Sequence, residues 1–173
     1  MTGRTHFIIG ANVAWLALLF QPMNIWLIPL VAAGGLAGLL PDIDTPASTI
    51  HQKSQGLTRI LLLHKILRHR GFSHSLLVLP FIALLSFFLF PIYPLLPLVF
   101  SWGYVSHPLI DGFNPQGCEY LFPNPKNYRL IPKFLCVDTG GWVDHLLFVI
   151  GSLALLAMPL HYLGLITLAV EKI

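Results

Sequence analysis

Charge is scarce in this sequence. Of 173 residues, 10% are charged and 55% are hydrophobic, and the mean hydropathy is +0.75. A soluble domain typically carries about 25% charged residues. So large a shortfall needs a solvent other than water, and the bilayer supplies it. Cysteine is scarce too. The two present, Cys118 and Cys136, share one polar loop, which excludes a disulfide framework and reads as two reduced thiols. No Gly-x-Ser-x-Gly elbow occurs, so Ser73 and Ser75 have no serine-hydrolase setting. No phosphate-binding Gly-x-x-x-x-Gly-Lys loop occurs either. The net charge of +3 and pI of about 9.0 are too weak to indicate a nucleic-acid partner. There is no internal repeat and no low-complexity tract. No small-residue cleavage site follows the first apolar run, which therefore reads as a retained helix.

What the sequence has is apolar runs separated by short turns. Phe7–Phe20, Ile25–Leu40, Leu76–Phe90, Leu95–Ile110 and Val143–Met158 are almost wholly apolar. At about 20 residues per span, the expected fold is all-α, a polytopic membrane helix bundle of four to five spans. Residues 1–173 form one membrane-embedded domain. His161–Val170 continues the last helix or re-enters the membrane. Two polar loops, Asp42–Ser73 and Asp111–Gly141, join the spans, and Leu57–Leu67 has the spacing of an interfacial helix. The connectors Gln21–Asn24 and Pro91–Pro94 carry no charge. The N-terminus and both long loops therefore share a side, with nine of the ten basic residues. The positive-inside rule makes that side the cytoplasm.

The same face gathers His and Asp. His6 stands at the start of the first span, and Asp42 and Asp44 at the end of the second. His69 and His74 precede the third, His107 and Asp111 end the fourth, and Asp144 and His145 open the fifth. Imidazole and carboxylate suit divalent zinc, iron, nickel or manganese. His107 and Asp111 are four residues apart, about 40° in azimuth on a helix, so both can face one ion. Singly, each residue reads as a helix cap, a turn or an interfacial group. Together they do not, because ionisable groups at membrane depth are costly and mark function. His51 and His64 read as surface residues, and His161, isolated near the far end of the last helix, is assigned no role.

Four strings now combine: Thr5-His6, Leu40-Pro41-Asp42-Ile43-Asp44, His69-Arg70-Gly71-Phe72-Ser73-His74-Ser75 and His107-x-x-x-Asp111. They resemble the YdjM-like family of membrane-bound, metal-dependent hydrolases, itself distantly similar to zinc phospholipase C and single-strand nucleases. The resemblance runs from His6 to Gly140-Gly141-Trp142. It implies His6, Asp42, His74, His107 and Asp111 as direct metal ligands. Asp44 and His69 would be ligands or the hydrogen-bonding partners of ligands. Arg70 would meet a phosphate through its guanidinium fork. The phospholipase pattern adds a later His-x-x-x-Glu pair that is missing here, Asp144-His145 being a poor match, which implies one or two ions.

The expected function is hydrolysis of a phosphoester, a phospholipid among the options, at the cytoplasmic membrane face. One or two divalent ions, zinc first, would serve as cofactor, with membrane lipid as partner and Asp42 or Asp44 as bridging ligand or general base. The alternative is a non-catalytic metal-binding membrane protein with a structural, sensor or transport role.

Overall fold

The computed structural model describes residues 1–22, 24–44 and 70–165. Among them the chain forms five α-helices: α1 (Gly3–Leu18), α2 (Leu27–Ala37), α3 (Leu79–Phe87), α4 (Leu96–Asp111) and α5 (Trp142–Tyr162). Short 3-10 turns cover Leu40–Asp44, Phe72–His74, Leu76–Val78 and Lys133–Leu135. The described residues hold no sheet, only an isolated bridge between Cys118 and Tyr128. The all-helical expectation therefore stands. The interfacial helix expected over Leu57–Leu67, with His51, His64 and His69, lies outside the described residues.

α2 and α3 are shorter than their apolar runs, and prolines set several helix ends. Pro41 disfavours the α conformation at Leu40, so α2 stops at Ala37 and the chain turns through Leu40–Asp44. Pro80 and Pro97 stand in the first turns of α3 and α4, where a missing N–H costs nothing. Pro108 lies inside α4. Its carbonyl accepts from Tyr120 Oη at 2.6 Å and from the Gly112 N–H at 3.1 Å, which closes the helix.

Length decides how many helices can cross a bilayer, since about 20 apolar residues are needed. Among the described residues only α5, with 21 residues and a mean hydropathy of 1.9, is long and apolar enough. α2 and the Leu76–Phe87 stretch are apolar but shorter. One such helix is thus present where four to five were expected. The outward faces are nonetheless apolar: Phe81, Leu84, Leu85 and Phe87 on the third helix, and Ile150, Leu153 and Leu156 on the fifth, are all exposed.

The bundle is built on α1, which packs against α2, α4 and α5, while α4 packs against α2 and α3. Glycines set the closest approach. A Cβ on Gly103 of α4 would overlap the Gly34 carbonyl of α2, and one on Gly10 of α1 would stand 2.7 Å from that same oxygen. Backbone-to-backbone contact of this kind is what small residues allow between membrane helices. Asn12, the polar interruption of the first run, ties α1 to α5: its amide donates to the Ile8 and Gly151 carbonyls at 2.8 and 2.9 Å. The apolar core lies beyond the glycines, where Trp15, Leu18, Leu27, Leu30, Val99 and Met158 are buried together.

Candidate metal centre

The glycine crossing fixes the site, because the functional groups lie one helical turn away from it. His6 precedes Gly10 by one turn, Gly38 follows Gly34 by one turn, and His107 follows Gly103 by one turn. The three helices thus deliver two imidazoles and a carbonyl to one level. Asp111 lies a further turn along α4, as its last residue. The Pro41 turn swings Asp42 in from α2, and the Phe72–His74 turn adds His74.

The donor atoms of His6, His107 and Asp111 all lie within 4.8 Å of one another, and so do those of Asp42, His74 and His107. His107 Nε2 stands 3.4 Å from Asp42 Oδ1 and 3.9 Å from Asp111 Oδ2. His74 Nε2 stands 3.9 and 3.8 Å from the same two atoms. These are poor hydrogen-bond lengths. They are close to the spacing of about 3.4 Å between ligands of a tetrahedral ion with bonds near 2.1 Å. His6 Nε2 comes within 3.1 Å of Asp111 Oδ1. Among the described residues, no hydrogen bond satisfies either ring nitrogen of His6 or Nε2 of His107, although all three atoms are buried. Buried polar atoms without partners are uncommon and need an explanation. A bound cation is one that suits this donor set.

The partners of these residues prepare them for that role. Gly38 O lies 2.6 Å from His107 Nδ1. A carbonyl can only accept, so Nδ1 carries the proton and the neutral ring turns its Nε2 lone pair toward the carboxylates. His74 Nδ1 pairs with Ser73 Oγ at 3.0 Å. The His6 and His107 rings stack with centroids 3.5 Å apart. Burial pushes the Asp42 carboxyl up, but the imidazole of His107, then those of His6 and His74, outweigh it and hold Asp42 below the usual carboxylate range.

Arg70 is buried and its φ is +62°, a left-handed conformation rare outside glycine. Its carbonyl accepts from the Glu119 N–H at 3.0 Å. Nη2 pairs with Asp111 Oδ2 at 3.0 Å, and Nη1 donates to Asn114 Oδ1 at 3.1 Å. The fork expected to meet a phosphate thus grips a carboxylate of the site itself. The Met1 ammonium also reaches Asp111 Oδ1, at 2.6 Å.

The other expected site residues are placed differently. Asp44 ends the Leu40–Asp44 turn, with its side chain outside the described atoms, and His69 lies outside the described residues altogether. Asp144 is buried as a tether, accepting from the Thr2 N–H at 3.0 Å and the Gly140 N–H at 2.7 Å. His145 is exposed. Both cysteines are free, and burial, then the Asp111 charge, pushes the Cys118 thiol up to about 12, so it offers no thiolate.

Sequence reasoning missed Asn114 and Gly38. Asn114 accepts from Arg70 and donates to Thr139 Oγ1 at 2.8 Å and to Val137 O at 3.3 Å. Its signal was a lone amide three residues beyond Asp111. Gly38 acts through its carbonyl, for which a sequence has no letter.

Residues 1–170 match the model of the YdjM inner membrane protein family. The chain belongs to that family. It is 30% identical over 168 residues to an Escherichia coli K12 protein named inner membrane protein YdjM, covering 82% of this chain and 81% of the relative. It is also 28% identical over 166 residues to the Bacillus subtilis uncharacterized protein YvsG, covering 94% of this chain and 96% of that one. No solved structure matches. Family membership gives the His and Asp cluster its setting, which is an inner membrane protein.

Proposed function

We propose that this member of the YdjM family is a metal-dependent hydrolase of phosphoesters, with its centre at the cytoplasmic face of the inner membrane. The observation that carries the reading is the set of buried imidazoles, His6, His74 and His107, packed against the carboxylates of Asp42 and Asp111. His107 has one free nitrogen, shared by both donor groups, so the arrangement supports a single ion. Three imidazoles and two carboxylates suit zinc. The multi-pass topology, with the N-terminus and both long loops cytoplasmic, belongs to the same proposal and rests on the charge bias.

A zinc ion bound here supplies a Lewis acid that polarises a phosphoryl oxygen and acidifies water. The protein does the rest. His107 is held in one tautomer by Gly38. Asp111 is fixed by Arg70, which Asn114 fixes in turn. Asp42 keeps 17% of its side chain exposed and so lies on the open side, where its carboxylate can accept a proton from water. The rival reading, a non-catalytic metal-binding protein, draws on enclosure: His6, His74, His107 and Asp111 are each at most 1% exposed. Structural sites are closed in this way, whereas catalytic ones keep an open position.

One experiment separates the two. The protein is purified in detergent, bound metal is measured by mass spectrometry, and hydrolysis of bis(p-nitrophenyl) phosphate and of phospholipid is assayed with and without chelator. Wild type is expected to carry metal and turn over substrate, and His74→Ala and Asp111→Ala to lose both. Wild type without metal overturns the proposal, and metal without turnover selects the non-catalytic reading.

A further inference from the structure

A cleft of about 240 Å³ opens beside the centre, with His74 among the residues that line it. Leu76 and Leu79 from the third-helix region, Val105 and Leu109 from α4, and Leu130 from the following loop line it with apolar surface. Tyr120 forms one wall and is held in place, its carbonyl accepting from the Leu76 N–H at 2.9 Å and its hydroxyl bonded to Pro108. Among the described residues, no Lys, Arg, Asp or Glu lines the cleft. A polar substrate group placed there would lose water and gain no partner.

The cleft also lies on the apolar outside of the molecule. Leu76, Leu109 and Leu130 are each about half exposed, and the cleft is continuous with the exposed apolar face of α3. In an inner membrane protein that face meets lipid chains. The cleft therefore joins two chemistries, hydrocarbon outside and His74 of the centre in its lining. One molecule class spans both: a lipid with a phosphoester at the end of its chains.

We propose that this cleft is an acyl-chain subsite. One alkyl chain of a bilayer phospholipid enters laterally between α3 and α4 and sets the phosphate toward His74. The proposal rests on the metal-centre reading and adds the substrate class and its route. Leu79 and Val105, partly buried on facing helices, set how much chain the cleft accepts.

Photo-crosslinking tests this without turnover. The protein is placed in phosphatidylglycerol nanodiscs doped with a phosphatidylglycerol that carries a diazirine on one acyl chain. Adducts are mapped by peptide mass spectrometry. Adducts are expected to concentrate on Leu79, Val105 and Leu130, above the level on Leu153 and Leu156 of α5. Val105→Trp is expected to lower the cleft adducts roughly tenfold, the size of effect that overfilling a packed site produces, with α5 adducts unchanged. A diacylglycerol probe with the same diazirine, lacking phosphate, is expected to label the cleft less than the phospholipid does. Labelling spread evenly over the exposed faces of α3, α4 and α5 overturns the subsite, as does equal labelling by diacylglycerol. The wild-type map decides even if Val105→Trp fails to fold. Hydrolysis without cleft adducts leaves the enzyme reading standing and removes this one, and cleft adducts without hydrolysis do the reverse.

Discussion

α1, α2 and α4 share two kinds of contact. On one side of the glycine crossing they bring together His6, the Gly38 carbonyl, His107 and Asp111, with hydrogen bonds that fix ring and carboxylate orientation. On the other they bury Leu18, Leu27, Leu30 and Val99, and beside them a cavity of about 480 Å³ remains, lined by Ile25, Ile28, Leu155 and Met158 among others. The polar end is specified by angles and the apolar end by volume. Apolar side chains can shift rotamer and still fill space. A donor atom moved by an ångström no longer shares a centre with its neighbours. The two ends should therefore answer differently to substitution, and the glycines between them should be the least tolerant positions of all.

Gly103→Leu is expected to have the largest effect. Its Cβ would overlap the Gly34 carbonyl, a backbone atom that cannot rotate away. α4 must move off α2, and His107 moves with it. Overpacking of this kind costs on the order of 3 kcal/mol. Thermal unfolding in detergent and metal content are expected to fall together. A variant with wild-type metal content would break the claim that the crossing sets the site.

Next comes Asn114→Leu, which leaves Arg70 Nη1 without its side-chain acceptor and frees the guanidinium to drift from Asp111. Hydrogen-bonding partners of metal ligands are worth about 10–100-fold in affinity, and a loss in that range is expected by metal titration. Asn114→Asp, which keeps the acceptor, is expected to recover most of it. Equal losses in both variants would reduce Asn114 to a packing role.

Asn114 also marks how far a sequence can be read. The helical class follows from composition, and His6, Asp42, His74, His107 and Asp111 stand out because ionisable side chains are rare in so apolar a chain. The structure brings those five together. The polar partners were less legible. Arg70 stands out in sequence, but its pairing with Asp111 through Nη2, 41 residues away, is one that no local pattern encodes. The span count is legible only in part, because a continuous apolar run need not be one helix: Leu76–Phe90 divides into a 3-10 turn and the nine-residue α3.

Acidity is expected to act on the polar end alone. Asp42 has a folded-state pKa held below its unfolded value, so its contribution to stability is full above about pH 4. That contribution is lost only as pH falls through the depressed value, and between pH 8 and 5 the carboxylate stays ionised. Metal loss in that window must come from imidazoles, which bind only when neutral and ordinarily titrate near 6.5. Apparent affinity is expected to fall up to about tenfold per pH unit for each proton taken up below about 6.5. Equilibrium dialysis carried from pH 8 down to about 4 measures it, because burial favours the neutral imidazole and moves its protonation lower, and a profile flat over that whole range would mean that histidine is not in the ligand set.

The smallest effect is expected at the apolar end. Leu30 is buried among Leu, Val and Trp neighbours and touches no polar group that an ion would need. Leu30→Met keeps volume and adds flexibility, a change that usually costs under about 1.5 kcal/mol. Unfolding temperature should shift by a few degrees at most, and metal content should not change, because Gly34 stands one turn farther along α2 and holds the site level by backbone contact. A loss of metal from so conservative a change would show that volume at the apolar end is transmitted through the crossing. The glycines would then act as a lever between the two ends, where the contrast drawn here needs them to act as a clamp.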